Sequence, residues 1–423
     1  MALSTASETF FRSRWVSAPE GVTELDPVIL PAGFRAAGVA TGGKPSGRRD
    51  VGVLVCDSDG AASAALFTRN AVTGAPVKVS RRANLRALRG VVVNAGNANV
   101  GTGAHGIEVA EAMTRTVAAG LAVEPARIGV ASTGVIGVQL ERERIVEGVE
   151  QAVRALSRDG GRDFAEAILT GDRGPKRACL EVALADGPIV LSAQCKGAGM
   201  ISPSFATMLC FVETDAVLDP TTLDRILRGA SARSFERITV DGQLSTSDSL
   251  FAFAGGESGR AVMPGSEDER LFARALEVVL RQLALEIVAD GEGATRVARL
   301  LVKGPDSAVE PVARAVGNSP LVKCALHGAD PNWGRILQAA GQALIDSSDT
   351  HGLEIDLAIE GIPVVRAGDD LPLGDGASRR LDEAMRTPEV EIELKLGHGD
   401  AEAELFFCDL GHEYVTFNSE YTT

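Results

Sequence analysis

The chain has 423 residues and a mass of 44.0 kDa, with 42 basic against 57 acidic side chains, a net charge of −15 and a pI near 4.9. That balance opposes any sequence-independent grip on a phosphate backbone or an anionic membrane surface, so no nucleic-acid or membrane partner is expected. Length and a hydrophobic content of 45% exceed what one ordinary core uses and predict two domains.

The start, "MALSTASETFFRSRW", lacks the apolar core and cleavage site of a secretory signal, and no stretch approaches the roughly 20 apolar residues of a membrane span. A cytoplasmic protein is expected. Cys56, Cys179, Cys195, Cys210, Cys324 and Cys408 form no C-x-x-C pair, and read as small buried hydrophobes in a reducing compartment. The five histidines are equally dispersed, so no metal site is predicted.

Taken in chain order, the hydrophobic pattern predicts strands at 50–57 and 90–95, a helix at 106–119, a strand at 127–132 and a helix at 142–156. Strands follow at 188–196 and 207–213. Asp219 before Pro220 then supplies an N-cap acceptor and a preset φ for a helix. Ser266 with Glu269 forms a capping box before "RLFARALEVVLRQLALEIV". A strand at 296–304, a helix at 332–341 and a strand at 389–397 complete the pattern. In the last, Val390, Ile392, Leu394 and Leu396 alternate with charge, as in a half-exposed strand. The fold class is mixed α+β. A coarse division falls near Thr207, yet "GPIVLSAQCKGAGMISPSFATMLCFVETD" contains no polar linker, so that boundary crosses what reads as packed core.

Thr207 stands behind a Gly/Ser/Pro-rich approach and ahead of "MLCFV". A threonine hydroxyl needs a base, and its own α-amine serves once the preceding peptide bond is broken. With Ala206 in front, little bulk opposes attack of the Thr207 hydroxyl on the preceding carbonyl, the N-to-O acyl shift that begins self-cleavage. Read alone, the same threonine is better explained as the first residue of a β-strand. Three other segments bear on the choice. "VASTGVIG" (130–137) ends a strand in a turn that can present a hydroxyl and a backbone N–H to an oxyanion, or is simply a strand-to-loop turn. "VADGEGATR" (288–296) sets Glu292 between two glycines, where a carboxylate can approach a ligand or sit in a solvated turn. "VNAGNANVGTGAHG" (93–106) is a demanding loop that matches neither a dinucleotide fingerprint nor a Walker loop.

In order, "AGVATGGKPSGRRDVGVLV", "VVVNAGNAN", "ASTGVIG", "KGAGMISPSFATML", "DGEGAT" and "GADPNWGRIL" resemble the ornithine acetyltransferase family, also called bifunctional glutamate N-acetyltransferases, from about Gly33 onward. The resemblance implies an αββα sandwich in a two-domain subunit and a proenzyme that cleaves itself between Ala206 and Thr207. Residues 1–206 would form an α chain and 207–423 a β chain, packed as one body and assembled as an α2β2 heterotetramer. It implies Thr207 as the acyl-accepting nucleophile in ping-pong transfer of acetyl from N-acetylornithine to glutamate. Thr133 and Gly134 fall on the family's oxyanion hole. Thr170, Lys196, Glu292, Asn418 and Thr423 fall on substrate-contacting positions. No cofactor is implied, because the acetyl group rides on the enzyme; whether acetyl-CoA also serves as a donor is left open by the sequence.

The chain departs from the family pattern at Gly171, where a second threonine is usual, at Gln243 and Ser247, and in "NSEYTT", which lacks an arginine. These departures spare the nucleophile and bear on the amine or acyl group accepted. Three other readings stand beside the first: a family paralogue in specialised metabolism, an N-terminal-nucleophile aminopeptidase passing the acyl group to water, and an unprocessed binding protein.

Overall fold

The computed structural model describes residues 10–202, 208–345 and 354–420. Two sheets face each other in the first part of the chain. One has four strands in the order Phe34–Val39, Val51–Cys56, Gly90–Asn97, Ile128–Val135. The other has six, in the order Val22–Glu24, Lys176–Leu184, Gly187–Lys196, Leu209–Thr214, Ser249–Ala254, Ala62–Phe67.

The layers follow from strand alternation. Leu209 and Phe211 point inward with Phe251 and Phe253 to meet Phe34, Leu54, Val91 and Val93 of the opposite sheet. Phe211 packs edge-on against Phe164 at 5.1 Å and stacks on Phe251 at 5.9 Å. The alternate residues Cys210 and Val212 point outward, onto Leu223 and Leu227 of helix Pro220–Ala232 and Phe272, Leu276 and Leu283 of helix Glu267–Ala289. Across the molecule Val109, Met113 and Val117 of helix Gly103–Leu121, with Ile145 and Val149 of Arg142–Arg154, cover the outer face of the four-stranded sheet. The result is the expected four-layer αββα sandwich.

A third sheet of seven strands occupies the remainder, with Val297–Gly304 between Glu389–Leu396 and Ala401–Cys408. Its core packs Leu300, Val302 and Leu394 against helices Asp306–Asn318 and Trp333–Ala343. The division of packing thus falls between helix Glu267–Ala289 and strand Val297–Gly304, whereas the strands on either side of Thr207 are neighbours in one sheet. At the junction of the two cores Glu404 accepts hydrogen bonds from Arg281 at 2.6 Å and Arg299 at 2.7 Å. Burial works to raise its pKa, and these two guanidiniums outweigh it and hold the carboxyl below its ordinary range.

The predicted strands and helices form, with shifted ends. Asp219 caps its helix through the Thr221 and Thr222 N–H groups. Ser266 accepts the Glu269 N–H at 3.0 Å, but Glu269 turns to the Gly265 N–H and to Arg225, so only one arm of the capping box forms. Five of the cysteines are buried, as expected; Cys324 is exposed, on a short helix. Among the described residues no helix is long and apolar enough to cross a membrane.

Glu213 is a polar residue inside the sandwich, fully buried on the same face of its strand as Phe211, with Ser192 Oγ at 2.5 Å and Gln194 Nε2 at 3.5 Å. Burial pushes its pKa up to about 8. A folded-state pKa above the unfolded value of about 4.3 means that the folded protein retains a proton the unfolded chain releases. Between about pH 5 and pH 8, stability therefore falls as pH rises. Glu213→Gln removes this dependence. In urea titrations the variant gains on the wild type by about 1 kcal/mol per pH unit across that window, and parallel curves would refute the protonated assignment.

Candidate active site

Strand Gly187–Lys196 runs antiparallel to Leu209–Thr214, with Lys196 opposite Leu209. Ser249 lies on the other side of Leu209 in parallel register. One end of the six-stranded sheet therefore brings together Lys196, Met208 and Asp248. The carboxyl ends of Gly90–Asn97 and Ile128–Val135 in the opposing sheet deliver Gly96, Thr133 and Gly134. A cavity of about 160 Å³ opens at this edge. Thr133, Gly134, Thr170, Lys196, Glu292 and Asn418, six of the residues singled out from the sequence, all line it. Ala206, Thr207 and Thr423 lie outside the described residues.

Gly134 has φ +127°, and a Cβ there would overlap the backbone of Gly96 and Asn97, so only glycine fits this turn. The ladder slips at Asn97, a bulge that ends the pairing next to Thr133. Lys196 Nζ donates to Thr133 Oγ at 3.3 Å, which turns the hydroxyl proton away from the lysine.

Lys196 is almost fully buried, and its charge is answered by Asp172, 3.9 Å away, whose side chain has no exposure. Asp172 also accepts from Lys176 Nζ at 2.8 Å, from the Gly197 N–H at 2.6 Å and from the Thr170 N–H at 3.1 Å. Burial opposes its charge, yet the two lysines prevail and hold the carboxyl far below its usual range. Lys176 is shared with Asp290 at 2.5 Å, and these two carboxylates, against the cost of burial, raise its pKa. Lys196 itself is shifted down by burial, with Asp172 working against the shift.

The opposite end of the cavity is acidic and aromatic. Glu292 follows the long helix Glu267–Ala289 and lies so close to Gly199 that a Cβ there would collide with its carboxylate. Burial raises the Glu292 pKa, and the hydrogen bond from Asn418 Nδ2, 2.6 Å long, lowers it in part. Asn418 is carried on the terminal helix His412–Glu420, which also turns Tyr414 and Phe417 to the cavity. Asp241 accepts the Met200 and Ile201 N–H groups at 2.6 and 2.9 Å, beside the left-handed bend at Met200, φ +57°.

Sequence reading missed Asp172, Lys176, Asp241 and Asp248. Asp248 accepts the N–H of Met208, the residue after Thr207, at 2.9 Å. Its Oδ2 is buried without a hydrogen-bond partner among the described residues, and burial drives its pKa well up. A signal was present in "TGDRGPK" and "STSDSL", single acids set among small residues beside apolar strands. Gly171, Gln243 and Ser247, the departures noted above, all line the same cavity.

Asp172→Asn leaves two buried ammonium groups short of a counter-charge and should cost about 3–5 kcal/mol in urea unfolding at pH 7. Because the folded-state carboxyl is held below its unfolded pKa of about 3.9, the stabilisation is complete above that pH and is lost as pH falls further. The difference between wild type and variant should therefore narrow only below about pH 4. A difference that vanishes by pH 6 would contradict the assignment.

Residues 35–423 match the family model described as the ArgJ family. The chain is 42% identical over 402 residues to the arginine biosynthesis bifunctional protein ArgJ of Symbiobacterium thermophilum, covering 94% of this chain and 98% of the relative. It is 41% identical over 418 residues to the protein of the same name from Methylococcus capsulatus, covering 96% and 100%. Among solved structures it is similar to an ornithine acetyltransferase complexed with ornithine from Mycobacterium tuberculosis, at 34% identity and TM-score 0.40, covering 43% of this chain and 98% of that one. On the family model and the full-length relatives, the chain belongs to the ArgJ family.

Proposed function

We propose that the protein is a self-processing acyltransferase that moves an acetyl group from N2-acetyl-L-ornithine to L-glutamate through an ester on Thr207. The observation that carries this reading is the polarity of the cavity. A buried lysine with a hydroxyl and a glycine turn lies at one end, and a carboxylate–amide pair, Glu292 with Asn418, at the other. Such a site suits an amino acid that carries an acyl amide, a carboxylate and a second amine.

In this reading Thr207 Oγ first attacks the Ala206 carbonyl. The C–N bond gives way to an ester, and water then releases the Ala206 carboxylate and a free Thr207 α-amine. The new amine takes the hydroxyl proton as Oγ attacks the acetyl carbonyl of the donor. The oxyanion is met by the Thr133 hydroxyl, oriented by Lys196, and by Gly134. The proton passes to the ornithine nitrogen as its bond to the acetyl carbon breaks; the glutamate amine then attacks the Thr207 ester, the acyl C–O bond breaks to release N-acetylglutamate, and the proton lost by the amine returns to Thr207 Oγ. Glu292 receives a substrate ammonium, and Thr170, Asn418 and Thr423 complete the substrate contacts.

No cofactor enters, since the acetyl group is carried by the chain. The α chain 1–206 and β chain 207–423 remain together, because Gly187–Lys196 and Leu209–Thr214 pair within one sheet. An α2β2 heterotetramer in the cytoplasm is the assembly and setting that go with this reading. A second reading, a family member acting on a different amine or acyl group, is favoured by the presence of Gly171, Gln243 and Ser247 in the cavity wall.

Denaturing mass spectrometry should show two fragments, with an acetyl group on the second after exposure to N2-acetylornithine. Including acetyl-CoA in the donor panel determines whether it loads the same threonine. Thr207→Ala should remain one chain without transfer; a wild-type chain that stays whole, or a Thr207→Ala variant that still transfers, would sink the reading. Glu292→Gln should raise KM for N2-acetylornithine by about tenfold or more, the loss of one charged hydrogen bond, and an unchanged KM would remove Glu292 from the amine site.

A further inference from the structure

We infer that Phe417 and Gly171 form a size-matched pair that sets the length of the substrate side chain accepted beside Glu292; this rests on the acyl-transfer reading. Helix His412–Glu420 has no fully buried residue, and Tyr414, Phe417 and Asn418, spaced three and four apart, turn one face to the cavity. The helix is fixed by Asn418 on the Glu292 carboxylate and by its approach to Gly293, where a Cβ would come within 2.9 Å of the Tyr414 nitrogen. In that position the edge of the Phe417 ring reaches Gly171. A Cβ on residue 171 would stand 3.1 Å from Phe417 Cζ and 4.0 Å from Glu292 Oε1.

The ring thus uses space that any larger residue at 171 would claim, within reach of the carboxylate that receives the amine. Gly171 has no left-handed φ to satisfy, so the space it leaves is its structural contribution. Phe417 is half-buried, and its ring supplies an apolar stop in a cavity of only about 160 Å³. A side chain whose methylenes run along the ring and whose ammonium ends at Glu292 is measured by that stop. One methylene in such a pocket is worth on the order of 10–200-fold in kcat/KM.

The test compares three donors that differ by single methylenes: the N2-acetyl derivatives of 2,4-diaminobutyrate, ornithine and lysine. Acetyl transfer to glutamate is followed with the full-length protein as wild type, Phe417→Ala, Gly171→Ala and the double variant, with melting temperatures to verify folding. Phe417→Ala should shift the lysine-to-ornithine ratio of kcat/KM upward by about tenfold. Gly171→Ala should raise KM for the ornithine donor when Phe417 is present and leave it unchanged in the Phe417→Ala background, because the clash is then gone. Phe417→Leu should give an intermediate ratio. A ratio that stays within twofold in Phe417→Ala, or a Gly171→Ala effect of equal size in both backgrounds, overturns the pair. Absence of transfer from all three donors by the wild type overturns the acyl-transfer reading itself, and the pair with it.

Discussion

The site depends on one buried carboxylate. The Asp172 side chain has no exposure and accepts from Lys176, from the Gly197 N–H and from the Thr170 N–H while facing Lys196. Without it Lys196 would shed its proton or seek water, and its bond to Thr133 would lose its direction. The same carboxylate ties loop 168–175 to the end of strand Gly187–Lys196, so the residues that line the cavity from both segments share one anchor. A low-dielectric site of this kind makes each interaction strong and each missing partner expensive.

Sheet pairing is the second constraint. Strands Gly187–Lys196 and Leu209–Thr214 are antiparallel neighbours from Leu191–Thr214 to Lys196–Leu209. The connection between them has to turn at the sheet edge, where Thr133 and Gly134 arrive from the opposing sheet. The pairing and the aromatic cluster of Phe164, Phe211 and Phe251 involve no residue of that connection. Hydrogen bonds and apolar burial on both sides of the connection join them in one sheet.

Much of this was legible in the residues. Strands such as "DVGVLVCD" and "EVEIELKLG" announce themselves through β-branched runs or strict alternation, and Asp219-Pro220 marks its helix start. Strands Ala62–Phe67, Ser249–Ala254 and Ala401–Cys408 did not, because "ASAALF", "SLFAFA" and "AEAELFFC" are rich in alanine or glutamate, which favour helix locally. The site was readable where a motif encodes backbone geometry, as at Gly134. Asp172, Lys176 and Asp248 carried only a weak local signal, because the partners that give them meaning, Lys196 and Asp290 for the first two and the Met208 N–H for the third, come from distant segments. Phe417 was hidden for the same reason, since Gly171 explains it only once the terminal helix is in place.

Isotope exchange reports on the acyl-enzyme without further chemistry. Purified protein is mixed with N2-acetylornithine and labelled free ornithine, without glutamate. A ping-pong route through Thr207 predicts that label enters the acetylornithine pool, at a rate that free ornithine accelerates and then saturates. If no label enters until glutamate is added, the acetyl group passes directly between the two amino acids within one complex. The covalent account is then contradicted.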